Sequence, residues 1–545
     1  MIVIRTHASS TIGIGHLLRC RRLAVRLQSL GFEILFVVDH ENEQLSGFLN
    51  TFSLHALYSS EIGFVSESED AICFLKQMEG VAPQEVEAVL VDDYRLTAVW
   101  EQSVSNLGAP LVVVDDRGRD PHDCQLLVDA KWEGKQTVQR YQDKVPADCM
   151  RLLGPAYILM DDRFTNTART TVEMEQTTSL SLLLNLGGGG DLTMLVELMQ
   201  HLVEQQPQDL NCMIRPVVGP YATHQQELLT FSQQHTAVEP IINQDGLFES
   251  LSHTDLYVGA AGGTLFEALA LRIPALTFSI SDNQYNELAD LEALGHYFHL
   301  NRLQPDDYPD LAKLIWVMLS KIDRLRHLYQ QPASVQVDGL GVKRVADAIV
   351  RLIEGELLSQ QTDGEALQKE ESIEEGYQLS SVDDRNVNRY VDARNLGFNL
   401  IKMTVKERMS RLQHYIWWLQ VNRRSSYLLE KKGKSLLYIW HQNQLVEGVE
   451  VLIGGWFVCS KCCTAIDAIY ALNQQLKITS ATFPELAWVA VIHRENRFVQ
   501  QLNRRLGFKQ IGVEHDMTPI VQSCFPMATH EEFFYYIREP QSISS

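Results

Sequence analysis

At the start of the chain an apolar run leads into a glycine-rich loop and then into an amphipathic segment. The run is Met1-Ile2-Val3-Ile4-Arg5, and the loop ends in Gly13-Ile14-Gly15-His16. One face of the following segment is apolar and comprises Leu17, Cys20, Ala24 and Leu27. Strand, glycine turn and helix in this order predict a β-α unit whose helix start offers unpaired amides to an anion.

His16 falls at the start of this predicted helix, and its position allows two interpretations. One is a helix-capping residue without chemistry; the other is a general base, because an imidazole beside positive helix amides is biased towards its neutral form. A dinucleotide site is a further alternative, since Asp39 follows at roughly 20 residues, as a ribose-binding acid would. The third glycine of that fingerprint is missing, however, because Leu18 takes its place.

The same strand-helix alternation continues through two consecutive segments, 1–170 and 178–355. Each predicts a Rossmann-like α/β domain with a parallel sheet, and ligands of such sheets bind at the carboxyl ends of the strands. Strands are predicted at residues 1–5, 33–38, 88–91, 111–114, 182–185, 213–218, 256–258 and 275–278. Helices are predicted from Thr193, Gln225, Leu265 and Asn286, near Leu311, and over 342–353.

Two glycine-rich turns mark the second segment. Leu184-Asn185-Leu186 runs into four consecutive glycines, 187–190, a sequence that favours close approach of backbone to a ligand over a merely flexible turn. In Gly259-Ala260-Ala261-Gly262-Gly263-Thr264, small residues precede a helix for which Thr264 is the expected cap. Glu267 follows one turn later, where it could accept both hydroxyls of a ribose or simply complement the helix dipole.

Several ordered blocks between residue 1 and about 355 resemble the UDP-sugar hydrolases of pseudaminic acid biosynthesis (the PseG family), relatives of the MurG-type GT-B glycosyltransferases. The blocks are 13–20, Val91-Asp92-Asp93-Tyr94, Val114-Asp115-Asp116-Arg117, 153–157, 187–191, 262–268, Asp282-Asn283-Gln284 and 338–341. The resemblance implies a GT-B-like pair of Rossmann-like domains. It also implies hydrolytic release of UDP from UDP-2,4-diacetamido-2,4,6-trideoxy-β-L-altropyranose, without metal or cofactor.

In that family the histidine matching His16 is catalytic, the asparagine matching Asn283 places the sugar, and Glu267 falls where the ribose is held. The further substrate-binding residues expected on this basis are Gly13, Gly15, Arg19, Asp93, Tyr94, Gly188, Gly189, Gly262, Gly263, Thr264 and Gln284. A GT-B glycosyltransferase using a UDP-sugar and a non-catalytic pathway scaffold are the alternatives.

The last third of the chain has a different composition. Residues 356–376 are predicted to be a linker, and five of the eight tryptophans fall in 377–545.

Residues 488–492, 495–498 and 502–508 resemble the final strand, helix and turn of GNAT N-acyltransferases, a family of α+β domains. The resemblance implies acetyl-CoA as a cofactor, with Asn496 near the acyl arm, and a bifunctional protein that also N-acetylates an amino-sugar nucleotide. Because segment 458–465 contains no glycine where that family binds pyrophosphate, a purely structural domain is the alternative.

Net charge and cysteine content narrow the possible partners and the expected cellular location of the protein. The 545 residues carry 47 Lys and Arg against 69 Asp and Glu, a net charge of −22, which makes nucleic acid and anionic membranes poor partners. No signal peptide is recognisable, and nine scattered cysteines favour a reducing, cytoplasmic location. Cys459, Cys462 and Cys463 have ligand-like spacing but no second ligand pair nearby, so no metal site is expected.

Overall fold

The computed structural model describes residues 1–7, 14–41, 43–59, 63–81, 85–165, 179–187, 189–219, 221–242, 246–279, 287–356, 376–421 and 424–540. The chain divides into two compact units, Met1–Gln368 and Lys369–Ser545. They are called unit 1 and unit 2, and each is described by itself.

Unit 1 begins with a seven-stranded parallel sheet in the order β3-β2-β1-β4-β5-β6-β7. Its strands are β1 (Ile2–Thr6), β2 (Ile34–Val38), β3 (Ser53–Ala56), β4 (Ala88–Asp92), β5 (Leu111–Val114), β6 (Leu126–Asp129) and β7 (Met150–Leu153). Its helices are α1 (Gly15–Ser29), α2 (Glu43–Phe48), α3 (Glu67–Met78) and α4 (Ala98–Val104). The four strands predicted here are confirmed. The sequence analysis missed β3, β6 and β7, which are only four residues long and include both sheet edges.

A second parallel sheet follows, with the order β12-β10-β8-β13-β14-β15. Its strands are β8 (Leu180–Asn185), β10 (Cys212–Val218), β12 (Ile241–Ile242), β13 (Leu256–Ala260), β14 (Ala275–Phe278) and β15 (His299–Leu300), while β9 (Gly189–Asp191) and β11 (Tyr221–Thr223) pair separately. The helices are α5 (Thr193–Glu204), α6 (Gln225–Gln234), α7 (Phe248–Ser252), α8 (Gly263–Ala270), α9 (Leu288–Ala293), α10 (Tyr308–Ser320), α11 (Ile322–Tyr329) and α12 (Gly341–Ile353). Two parallel Rossmann-type sheets in tandem confirm the predicted α/β fold. The sheets and their helices are called the first and second lobes.

The last helix of unit 1 packs against the first lobe rather than the second. Val342, Val345 and Ile349 of α12 belong to the same buried cluster as Leu17 and other residues of α1 and of the first sheet. Glycine is required where this helix begins, because a Cβ on Gly341 would lie 2.2 Å from the carbonyl oxygen of Ile158. The chain therefore crosses from the first lobe to the second and returns.

Unit 2 is built on one mixed sheet in the order β16-β17-β18-β19-β20-β22-β21. Neighbouring strands are antiparallel except β19 and β20. The strands are β16 (Tyr377–Ser381), β17 (Arg424–Lys431), β18 (Lys434–Val446), β19 (Val449–Val458), β20 (Ala487–His493), β21 (Lys509–Ile511) and β22 (Phe533–Arg538). The helices are α13 (Val387–Arg394), α14 (Gly397–Leu400), α15 (Arg411–Gln420), α16 (Ala465–Thr482), α17 (Arg497–Arg505) and α18 (Thr518–Cys524).

None of the helices found in the described ranges combines the length and apolar character that a bilayer-spanning segment needs.

Candidate functional site

The candidate site of unit 1 is centred on a hydrogen-bonded pair at the carboxyl edge of the first sheet. His16 is the second residue of α1, and its Nδ1 lies 2.5 Å from Oδ1 of Asp92, the last residue of β4. Strands β1 and β4 are neighbours, so the helix that follows β1 starts beside the end of β4. Because a carboxylate only accepts hydrogen bonds, Nδ1 is the donor in this pair, and the neutral tautomer that fits it has its lone pair on Nε2.

Arg19 and Asp116 complete this cluster. Nε and Nη2 of Arg19 both donate to the Asp92 carboxylate at 2.6 Å, and Nη1 donates to Asp116 at 2.8 Å. Burial alone would raise the pKa of Asp92, but Arg19 and His16 outweigh it and hold that pKa well below its usual range. Asp92 therefore stays ionised beside the imidazole. Arg19, predicted as a substrate ligand, acts here as the partner of two carboxylates.

Tyr94 forms one wall of the pocket around the imidazole. Its ring meets that of His16 edge to face, with centroids 4.4 Å apart, and its hydroxyl donates to Asp116. His16 is only 7% exposed. Tyr94 and Asp92 enclose this ring, so it does not face an open, water-filled gap in this arrangement.

Asp93, although adjacent to Asp92, does not join this cluster. Its carboxylate accepts from Nη2 of Arg95 at 2.6 Å, and Arg95 also donates to Asp39. Asp93, Asp39 and His7 have metal-like spacing, but arginines already bind both carboxylates, and we propose no metal there. The structure thus places the predicted substrate ligand Asp93 in an ion-pair network apart from His16.

In the second lobe, the predicted glycine residues form the start of α8. Gly262 is the N-cap and Gly263 the first helical residue, and a Cβ on either would meet no atom within 4 Å. Thr264 is not the cap that the sequence predicts, because the helix begins one residue before it; its hydroxyl accepts instead from Nδ2 of Asn185 at 3.1 Å. This helix start is an open backbone surface of the kind that binds phosphate.

Glu267 connects the two lobes. Its Oε1 accepts from Nη2 of Arg22 on α1 at 2.8 Å, and the residue is 6% exposed. Burial raises the pKa of Glu267, and the charge of Arg22 offsets this in part. The carboxylate expected to hold a ribose is therefore occupied by an arginine in this arrangement.

The other residues predicted to bind substrate add little to this site. Gly15 opens α1, and Gly189 begins β9, which pairs with β11 rather than forming a turn. Gly13, Gly188, Asn283 and Gln284 lie outside the described residues.

Unit 2 contains a cavity of about 550 Å³ between β19, β20 and helices α13, α15 and α17. Asn496, predicted to lie near an acyl arm, lines it and caps α17 through Oδ1. The start of α16, which lies at the end of the glycine-free segment 458–465, is occupied by an acid. The Asp467 carboxylate accepts from the Thr464 amide and hydroxyl at 2.7 Å and from the Tyr377 hydroxyl at 2.6 Å.

No family model matches the chain. An uncharacterized protein of Methanocaldococcus jannaschii is 22% identical over 316 residues, which are 57% of this chain and 62% of that protein. This chain therefore spans less than two thirds of that relative. Among solved structures, the chain is similar to MurG of Acinetobacter baumannii, with 14% identity, 64% of this chain and 99% of that chain covered, and a TM-score of 0.43. It is also similar to the MnaA-UDP co-structure from S. aureus, with 15% identity, coverage of 66% and 99%, and a TM-score of 0.43.

Sequence reasoning missed three residues of the site: Asp92, Asp116 and Arg22. Asp92 and Asp116 belong to the sequence blocks quoted above, but the residue predicted there as a substrate ligand is Asp93. The alternation of strand faces is the signal that could have separated them, because consecutive residues at a strand end point to opposite sides. Nothing local in the sequence indicates that Arg22 reaches the second lobe.

Proposed function

We propose that unit 1 is a hydrolase that releases UDP from a UDP-sugar, with UDP-2,4-diacetamido-2,4,6-trideoxy-β-L-altropyranose as the substrate implied by the sequence resemblance. The observation that carries this proposal is the His16–Asp92 pair at the carboxyl edge of the first sheet. An ionised carboxylate that holds Nδ1 leaves Nε2 as the proton acceptor, the arrangement that a general base needs.

The chemistry requires little more than this base and a site for the leaving group. In the proposal, Nε2 of His16 takes a proton from the water that attacks the anomeric carbon. The amides at Gly262 and Gly263 hold the diphosphate as its charge develops, and fixed donors of this kind lower the barrier without reorganisation. Glu267 binds the ribose once it separates from Arg22.

Substrate entry requires movement, because the imidazole is 7% exposed and Glu267 is 6% exposed. The Arg22–Glu267 ion pair links α1 to α8 within unit 1. We propose that this arrangement is the closed form and that the lobes part at this contact to admit the nucleotide.

The test is incubation of the purified chain with the nucleotide sugar alone, followed by detection of UDP. A hydrolase releases UDP without an acceptor, whereas a glycosyltransferase needs one and a scaffold releases none. We expect His16→Gln to lower turnover by about 10²- to 10⁴-fold, the usual contribution of a general base. His253→Gln, which removes an exposed histidine of the same unit, is the matched control. Equal turnover in both variants would remove His16 from the mechanism.

For unit 2 we propose a GNAT-like acyltransferase fold. Its support is the single parallel pair of the sheet, since β19 and β20 pair only at Val451/Ala487 and Leu452/Trp488 and then continue without further pairing. The cavity lies where the strands diverge. The start of α16 does not fit the diphosphate of acetyl-CoA, however, because the Asp467 carboxylate already accepts from the Thr464 amide there and would repel a diphosphate. We therefore propose no acetyl-transfer step.

We expect calorimetric titration of the full chain with acetyl-CoA to show no saturable binding at millimolar concentration. Asp467→Ala should bind more tightly than the wild type, because it removes a negative charge from the helix start. Asp383→Ala, which removes an exposed carboxylate elsewhere in unit 2, is the control. Tight binding by the wild-type chain would contradict this expectation and would make acetyl transfer a candidate activity of unit 2 again.

A further inference from the structure

The cavity of unit 2 is electropositive in a strongly acidic protein. The chain carries a net charge of −22, yet the residues that line this cavity include Arg394, Arg424 and Lys402 and no Asp or Glu. Its volume of about 550 Å³ falls within the range of small-molecule sites. The charge distribution of the lining therefore selects for an anion.

Arg424 is held between two indoles. Its guanidinium carbon lies 3.6 Å from the ring centroid of Trp440 and 4.9 Å from that of Trp417. The only acceptor that the described residues offer it is Oε1 of Gln442, 3.5 Å from Nε. Stacking uses the faces of the guanidinium and leaves the in-plane donors Nη1 and Nη2 available to a ligand.

Arg394, in the last turn of α13, is the second cation. It donates to uncharged oxygens, those of the Asn395 side chain and the Glu407 and Val405 carbonyls, and within the described ranges no carboxylate pairs with it. Burial lowers the pKa of Arg394, and the charge of Arg424 contributes in the same direction. Two guanidinium groups that repel each other across a partly desolvated space are stabilised by an anion bound between them.

Aromatic side chains form a large part of the remaining lining. Trp417, Trp440 and Trp456 are half-buried side chains of the cavity, and Tyr390 and Phe398 add to the same lining. Half-exposed rings of this kind stack on flat or apolar groups. A small inorganic anion would leave this surface without a partner.

From these observations we infer that unit 2 binds an organic anion, whose phosphate or carboxylate lies between Arg394 and Arg424 and whose flat or apolar body packs against the aromatic part of the lining. The arginines of this site are distinct from the start of α16, where the Asp467 carboxylate accepts from the Thr464 amide. The inference does not depend on the hydrolase proposal, because every residue that carries it belongs to unit 2.

Ligand-observed saturation-transfer NMR on the full chain tests this inference with four probes. Phenyl phosphate and phenylacetate carry a ring with either charged group, inorganic phosphate has no ring, and benzyl alcohol has no charge. We expect saturable binding of one or both ring-bearing anions and weaker binding of the other two probes. The stronger of the two anions identifies the charged group that the site prefers.

Variants locate the site. Arg424→Gln and Arg394→Gln should each weaken binding of the preferred probe about tenfold, the effect expected for loss of a charge-assisted hydrogen bond. Arg385→Gln removes an exposed arginine that is paired with Asp383, and it should bind as the wild type does. Equal affinity in all three variants would overturn the inference.

A measurement on the wild-type chain covers the case in which the variants fail to fold. Phenylglyoxal modifies accessible arginines, and peptide mass spectrometry reads each position separately. The preferred probe should protect Arg394 and Arg424 while Arg385 reacts as before. Unchanged modification of Arg394 and Arg424 at saturating probe would contradict the proposed site.

Discussion

At the scale of single residues, the chemistry proposed for unit 1 depends on the carboxylate that holds the imidazole of His16. Asp92 is fully buried, and its two oxygens accept from His16, Arg19 and the thiol of Cys20. Arg19 donates to both oxygens of this carboxylate and so holds it in place. The orientation and tautomer of His16 are thus fixed before any substrate arrives.

Asp92→Asn should lower turnover by about 10²-fold or more. The amide can donate to Nδ1, which moves the imidazole proton to Nε2 and removes the base. The measurement is kcat for UDP release, with the melting temperature recorded alongside. Cys20→Ser keeps a donor to the same carboxylate and should retain near wild-type turnover. Full activity in Asp92→Asn would show that the pair does not orient the base.

A second buried histidine gives unit 1 a pH dependence of stability. His122 lies between Glu101, at 2.7 Å, and Asp115, at 3.5 Å. Burial alone would lower the pKa of His122, but the two carboxylates outweigh it and raise the pKa to about 9. The folded state binds this proton more tightly than the unfolded chain, so the stabilisation is complete below about pH 6.5 and is lost as the pH rises through 9.

We therefore expect the free energy of unfolding of unit 1 to fall by roughly 2–3 kcal/mol between pH 6.5 and 9.5. Native-state hydrogen exchange of peptides that contain β5 measures it. His122→Gln should be less stable at pH 6.5 and show little of this alkaline decline. A decline of the same size in that variant would assign the effect to another group.

At the scale of elements, the parallel strands determine which residues can meet. The sequence predicts the strands β1, β4, β8 and β13 from their apolar runs, and it predicts His16 at the start of α1. It does not predict the strands β3, β6 and β7, or that Asp92 rather than Asp93 faces the imidazole, because these depend on sheet order and strand face. The contact between Arg22 and Glu267 depends on how two distant helices pack, which no local pattern encodes.

The Arg22–Glu267 contact between α1 and α8 leads to a prediction about nucleotide binding. If Glu267 binds the ribose, Glu267→Gln should weaken UDP binding about tenfold, because it removes hydrogen bonds to a charged acceptor. Arg22→Gln removes the competing partner and should leave UDP affinity unchanged or higher. Isothermal titration calorimetry with UDP compares the two. Equal weakening in both variants would show that the ion pair supports binding rather than competing with it.

At the scale of the whole molecule, each described core cluster lies within a single unit. Two clusters belong to unit 1, and three belong to unit 2. Each unit also has a tightly enclosed glycine. A Cβ on Gly341 would lie 2.2 Å from Ile158 O, and one on Gly454 would lie 2.5 Å from Trp440 O. These two positions allow the stability of each unit to be changed separately.

We expect two transitions in differential scanning calorimetry of the full chain. Gly341→Ala should destabilise unit 1, and Gly454→Ala should destabilise unit 2, each by about 1–3 kcal/mol, the usual cost of overpacking. Each variant is the control for the other. A shift of both transitions by either substitution would show that the units unfold together.

The return of α12 to the first lobe has a consequence for synthesis of the protein on the ribosome. The apolar surface of α1 that α12 covers is made early, whereas Val342, Val345 and Ile349 emerge only after the entire second lobe. Nascent domains generally fold as they emerge, amino-terminal first. The apolar face of α1 therefore stays exposed to solvent until translation has passed α12. This is the interval in which a chaperone would bind that face.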